Sequence, residues 1–142
     1  NPDMIQIQKQ STLKLNDLKK IKEVFPEIKI TKTFYIKKNI DLEELLKNIK
    51  EYVDSQVIDI ILLDSEKGGS GETHDWDKSA KIVSSIKPFP VMLAGGLNPK
   101  NIENAISKVK SYGVDVMSGV NKNNSKIKDS NKVKLFVKNL KN

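Results

Sequence analysis

The chain has 142 residues, 37% hydrophobic and 30% charged, the size and composition of one globular domain able to bury a single core. It has no cysteine and one histidine, His74, which excludes disulfides, thiolate metal sites and thiol nucleophiles within this sequence and argues against a multi-histidine metal centre. The formal charge is +7, yet all 25 cationic residues are lysines interspersed with carboxylates, so the surplus reads as a solvated surface and not as a nucleic-acid interface.

No apolar run approaches the ~18 residues that span a bilayer, and no basic-then-apolar leader opens the chain. A soluble, cytoplasmic protein with no membrane partner is expected. Asn1-Pro2 is an unusual start for a gene product, so upstream sequence is expected to precede it.

In chain order, the first apolar run is Met4 to Ile7, followed by a helical pattern marked by Leu13, Leu15, Leu18, Ile21, Val24 and Phe25. Ile28 to Phe34 follows, then a helix carrying Leu42, Leu45, Leu46, Ile49 and Val53, with Asp41 and Glu44 placed as a capping-box variant. Val57 to Leu63 is the third run; its helix carries Ala80, Ile82, Val83 and Ile86 and is capped at Asp75. Val91 to Ala94 precedes a helix that opens at Asn98-Pro99, carries Ile102, Ala105, Ile106, Val109 and Tyr112, and ends at Gly113. Val114 to Met117 is the last run, and Val133, Phe136, Val137 and Leu140 mark the last helix.

Each interval is long enough for a strand, a crossover helix and two short loops, so neighbouring strands should be parallel. Five such βα units fit either an open doubly wound sheet or part of a (β/α)₈ barrel, which ordinarily needs ~200 residues or more.

The informative residues follow the C-terminal ends of the third, fourth and fifth runs, the edge at which parallel α/β proteins bind ligands. Asp64 ends the third run too far ahead of the next helix to cap it. Gly68-Gly69-Ser70-Gly71 reads either as a surface loop or as a nest of backbone N–H groups open to an anion. Ala94-Gly95-Gly96-Leu97 and Ser118-Gly119-Val120 close the next two runs, and two glycine turns leading towards helix starts can hold a phosphate without arginine.

Taken in order, Leu62-Leu63-Asp64-Ser65, Gly68 to Gly71, Asp75-Trp76, Leu93 to Ile102, Gly113 to Val120, and Lys128-Asp129 with Lys132 and Phe136 resemble phosphoribosylanthranilate isomerase. The strong likeness covers Asp59 to about Leu140, with Met4 to Ile7 similar only loosely. The resemblance implies the C-terminal part of that enzyme, about βα units four to eight: a partial (β/α)₈ TIM barrel of class α/β, with residues 1–142 one portion of a single domain whose N-terminal units are absent.

It also implies the chemistry, an Amadori rearrangement in tryptophan biosynthesis that needs no cofactor and no metal. Asp64 takes the place of the family's acid, and burial at a strand end should raise its pKa. Asp115 is implied to bind or orient the substrate. Gly95, Gly96, Ser118 and Gly119 are implied to hold its phosphate, with Gly69, Ser70 and Gly71 lining the same mouth. The family's base is a cysteine on its first strand, in a Lys-Ile-Cys-Gly type motif that has no counterpart here, so the chain alone is expected to be inactive.

Other departures are Gln6-Ile7-Gln8-Lys9 where Gln-Leu-His-Gly is usual, Asn121 where glutamate is usual, and His74 where phenylalanine is usual, read as a solvent-facing change. Two alternatives stay open: another phosphate-binding barrel enzyme, such as indoleglycerol-phosphate synthase or ribulose-phosphate epimerase, and a non-catalytic half-barrel binding module. The partners expected are the phosphoribosylated anthranilate, the missing N-terminal segment and, through open sheet edges and the apolar face of Ile60, Leu62, Met92 and Val116, a second copy of the chain.

Overall fold

The structure is a computed structural model, and it describes residues 2–8, 10–65, 72–123 and 125–140. Strands β1 (Met4–Ile7), β2 (Lys29–Ile36), β3 (Ile60–Ser65), β4 (Val91–Leu93) and β5 (Gly113–Val114) alternate with helices α1 (Leu15–Val24), α2 (Leu42–Asp54), α3 (Trp76–Ser85) and α4 (Ile102–Val109), and α5 (Ser130–Leu140) follows. All five strands join one sheet in the order β1-β2-β3-β4-β5, and every neighbouring pair is parallel.

Side chains alternate across a strand, so the sheet has two different faces. One face packs on the helices: Ile30, Phe34 and Ile36 of β2, Ile61 and Leu63 of β3, and Val91 and Leu93 of β4 share one buried cluster with Leu18, Ile49, Ile82, Ile102, Val109 and Phe136. Each such side chain taken fully out of water contributes ~1.5–3 kcal/mol, which makes this layer the main source of stability.

The opposite face is largely polar at its β1–β2 side. Gln6 Nε2 donates to Thr33 Oγ1 at 3.2 Å, and the Tyr35 hydroxyl reaches Gln8 Oε1 at 3.1 Å. The register sets Thr33 beside Leu62 and Tyr35 beside Asp64.

These observations correct the expectation of a partial half-barrel with a bare apolar inner face. The described residues form one continuous α/β domain of parallel sheet and outer helices with its own core. Leu62 is only 3% exposed, Ile60, Met92 and Val116 are half-buried, and the polar side chains of β1 and β2 satisfy one another.

Local signals were mostly obeyed. Asp41 Oδ1 accepts from the backbone N–H of Glu43 and Glu44 at 3.0 and 3.1 Å, and Asp75 Oδ1 accepts from Asp77 N at 2.9 Å. Helix α4 differs at both ends. Asn98 does not cap it but opens a turn, accepting from Lys100 N at 2.9 Å, and the helix starts three residues after Pro99. It ends at Lys110, which takes the left-handed conformation with φ 55°, ahead of Gly113. In α5 only Phe136 is buried, while Val133 and Val137 lie 38% and 43% exposed.

Candidate active site

Strands β3, β4 and β5 end on one rim around a pocket of about 250 Å³, lined by Asp64, Gly95, Gly96, Asp115 and Ser118 together with Gln6, Gln8 and Tyr35. Gln6 and Tyr35 come from β1 and β2, and Gln8 directly follows β1. Parallel alignment dictates this gathering, because every strand leaves the sheet in the same direction.

Asp64 sits on the polar face at the end of β3, half-buried, and its Oδ1 accepts from Ser65 N at 2.7 Å. Burial pushes its carboxyl above the ordinary value of 3.8; the Ser65 hydrogen bonds oppose that shift and the Asp115 carboxylate adds to it. The direction is the one that an acid working near neutral pH requires.

The two glycine turns are built by close contact. Gly95 and Gly96 have φ of 86° and 67°, conformations that favour glycine. A Cβ on Gly96 would lie 2.6 Å from Thr73 N, so the strand-to-helix connection after β3 rests directly on this turn. A Cβ on Gly119 would collide with the Leu97 carbonyl oxygen, so the turn after β5 packs on the turn after β4.

Among the described residues, the backbone N–H groups of Gly95, Gly96, Ser118 and Gly119 donate to no protein acceptor. Four unengaged donors on touching turns form a concave site suited to an anion. The dipole of α4 contributes less than the sequence suggests, since that helix begins at Ile102; Ser118 to Val120 form only a three-residue 3-10 turn.

The segment after the second turn is held by lysines. Lys128 Nζ donates to Met117 O at 2.6 Å and to Asn121 Oδ1 at 2.8 Å, and Lys132 Nζ donates to Asn121 O at 2.7 Å. Asn121 thus serves as an anchor for both.

His74 is not solvent-facing. It is half-buried, its Nε2 lies 2.7 Å from Ser79 Oγ, and burial lowers its pKa from 6.5 to about 4. Ser79 is fully buried and offers the ring its polar partner. Gly69, Ser70 and Gly71 lie outside the described residues.

Sequence reading missed Tyr35, whose alternation with Thr31 and Thr33 was the available signal. Gln6 and Gln8 figured only as departures from a motif. Among the described residues no group of three or more His, Asp or Glu side chains could hold a metal ion, and no helix is long and apolar enough to cross a membrane.

The family model described as N-(5'-phosphoribosyl)anthranilate isomerase matches residues 1–139. The chain belongs to this family. That span corrects the expectation that the likeness is that of a C-terminal part, strong only from Asp59 onward: it runs through β1, α1 and β2 as well, where the altered Gln6 to Lys9 stretch disguises it.

An N-(5'-phosphoribosyl)anthranilate isomerase of Methanopyrus kandleri is 43% identical over 117 residues, covering 77% of this chain and 52% of that protein. The solved phosphoribosyl anthranilate isomerase of Thermococcus kodakaraensis superposes with a TM-score of 0.77 at 33% identity, over 99% of this chain and 64% of its own. A second isomerase structure, solved in complex with reduced 1-(o-carboxyphenylamino)-1-deoxyribulose 5-phosphate, gives a TM-score of 0.71 at 29% identity, over 98% of this chain and 59% of its own. The chain therefore spans between half and two-thirds of the length of these relatives.

Proposed function

We propose that the protein is a phosphoribosylanthranilate isomerase of tryptophan biosynthesis, acting on N-(5-phosphoribosyl)anthranilate through the pocket of Asp64. The observation that carries this reading is the pairing of a carboxyl whose pKa burial raises with a nest of backbone N–H groups that meet no acceptor among the described residues, on one rim. The family match and the ligand of the second isomerase structure support the choice of substrate.

Asp64 donates its proton to the ribose ring oxygen as the bond from that oxygen to C1 breaks, leaving an iminium between C1 and the anthranilate nitrogen. Loss of the C2 proton to a base gives the enolamine, which tautomerises to the 1-deoxyribulose product. The base is a separate group, which family resemblance implies to be a cysteine. Asp115 orients the sugar. The N–H groups of Gly95, Gly96, Ser118 and Gly119 hold the 5-phosphate, which fixes the distance from the phosphate to the ring oxygen.

The test follows the decay of phosphoribosylanthranilate fluorescence with the full-length protein and its Asp64→Asn variant. Asparagine should lower kcat ~10²–10⁴-fold with a small change in KM, as expected for loss of a positioned acid. Undiminished turnover in that variant would remove Asp64 from the mechanism.

A further inference from the structure

On the helix-facing side of the sheet a second cavity, of about 430 Å³, lies between the β1–α1 connection, β2 and α2. Its size falls in the range of small-molecule sites. Strand β2 separates it from the Asp64 pocket, with Tyr35 bordering both.

Lys32 forms part of its wall. The residue is only 7% exposed, and its ammonium sits 5.6 Å from the centroid of the Tyr52 ring. Among the described residues it makes no ion pair and no hydrogen bond. Neither carboxylate of the cavity serves it: Asp41 is engaged by the N–H groups of Glu43 and Glu44, and Glu44 is exposed. A buried cation without an anion is costly, and the face of one aromatic ring compensates only in part. Burial accordingly holds the Lys32 amine below the usual lysine range.

The rest of the wall is mixed. Leu13, Phe34 and Leu45 supply apolar surface, and Asn48 supplies one amide. We propose that this cavity binds a small monocarboxylate with an apolar body, its carboxylate on the Lys32 ammonium and its body against Leu13, Phe34 and Leu45. A phosphate dianion is disfavoured, because among the described residues Lys32 is the one buried cation of the wall, Lys14 being exposed, and Asp41 already occupies the N–H groups that open α2. A neutral molecule would leave the ammonium unpaired. The inference stands independently of the isomerase reading.

The test uses the full-length protein and benzoate as probe, with benzamide as its neutral analogue and inorganic phosphate as an anion without an apolar body. Amide and Tyr52 ring shifts should saturate around Lys32 and Phe34 with a dissociation constant of ~1 mM or tighter. Benzamide and phosphate should bind at least ~10-fold more weakly, the factor expected if pairing with the charge drives binding. Lys32→Met, which keeps the length of the chain and removes its charge, should weaken benzoate equally. Leu45→Phe, which fills the cavity and keeps the charge, provides a second route should Lys32→Met fail to fold, and it too should block binding. Benzamide binding as tightly as benzoate, phosphate binding more tightly, full affinity in either folded variant, absence of saturation, or benzoate shifts confined to Gly95, Gly96 and Ser118 would each overturn the proposal.

Discussion

Asp64 and Gly95 are in contact so close that a methyl group on residue 95 would sit 2.9 Å from Asp64 Oδ1 and 2.7 Å from the Ser65 nitrogen. With φ at 86°, alanine at this position is strained as well as crowded. Gly95→Ala should therefore lower the free energy of unfolding by ~1–3 kcal/mol and displace the carboxyl group, reducing kcat as well. Urea denaturation alongside the turnover assay checks both effects; a variant as stable as the parent would show that the turn relaxes freely.

The raised pKa of Asp64 makes a signed prediction. The folded state holds this proton more tightly than the unfolded chain, so the associated stability is full below the ordinary value of 3.8 and is lost as pH rises through the raised folded value. Asp64→Asn should remove that decline and be at least as stable as the parent at neutral pH. In catalysis the protonated acid is the working form, so turnover should fall as pH rises through the same pKa. Asp115→Asn removes a like charge that supports the shift, and should move that alkaline limb to lower pH. A kcat profile across pH reads it directly.

His74 shifts in the opposite sense. Below pH 6.5 the unfolded chain takes up a proton that the folded ring refuses until about pH 4. Stability should therefore be full above pH 6.5 and fall as pH drops towards 4, by at most ~1.4 kcal/mol per pH unit. His74→Phe abolishes this slope but leaves the Ser79 hydroxyl without its ring partner, so it should be less stable than the parent at pH 7 and close the gap at pH 5. Urea midpoints at the two pH values decide the matter.

The N–H groups of the two glycine turns, which meet no acceptor among the described residues, should respond to a phosphate. Titration with ribose 5-phosphate is expected to move the amide signals of Gly95, Gly96, Ser118 and Gly119 together, at one affinity. Gly119→Ala, which drives a methyl into the Leu97 carbonyl, should weaken that binding and destabilise the fold. Unmoved glycine signals would place the phosphate elsewhere.

Much of this architecture was legible in periodicity and capping residues. Apolar runs located every strand, Asp41 and Asp75 marked their helix starts, and the placement of Asp64, Gly95 and Ser118 after strands brought them to one rim. What stayed hidden depended on contacts distant in sequence. Nothing adjacent to Tyr35 reveals that it lies beside Asp64, since that follows from the register of β2 on β3. His74 read as exposed because its partner Ser79 is a helix turn away and buried. Asn98-Pro99 imitated a helix start because asparagine serves a turn as well as a cap. The extent of the family likeness was underread because three altered residues, Ile7, Gln8 and Lys9, stand where the first strand would declare it.

The strictly sequential strand order has a further consequence, for biosynthesis. Among the described residues each strand pairs with its neighbours in the sequence, so these five need not wait for one another out of order. As the chain leaves the ribosome, β2 can dock on β1, then β3 on β2, each new unit covering the edge that the last one left open. The rim that gathers Asp64, Gly95 and Ser118 is therefore finished last, when the turn after β5 closes against Leu97.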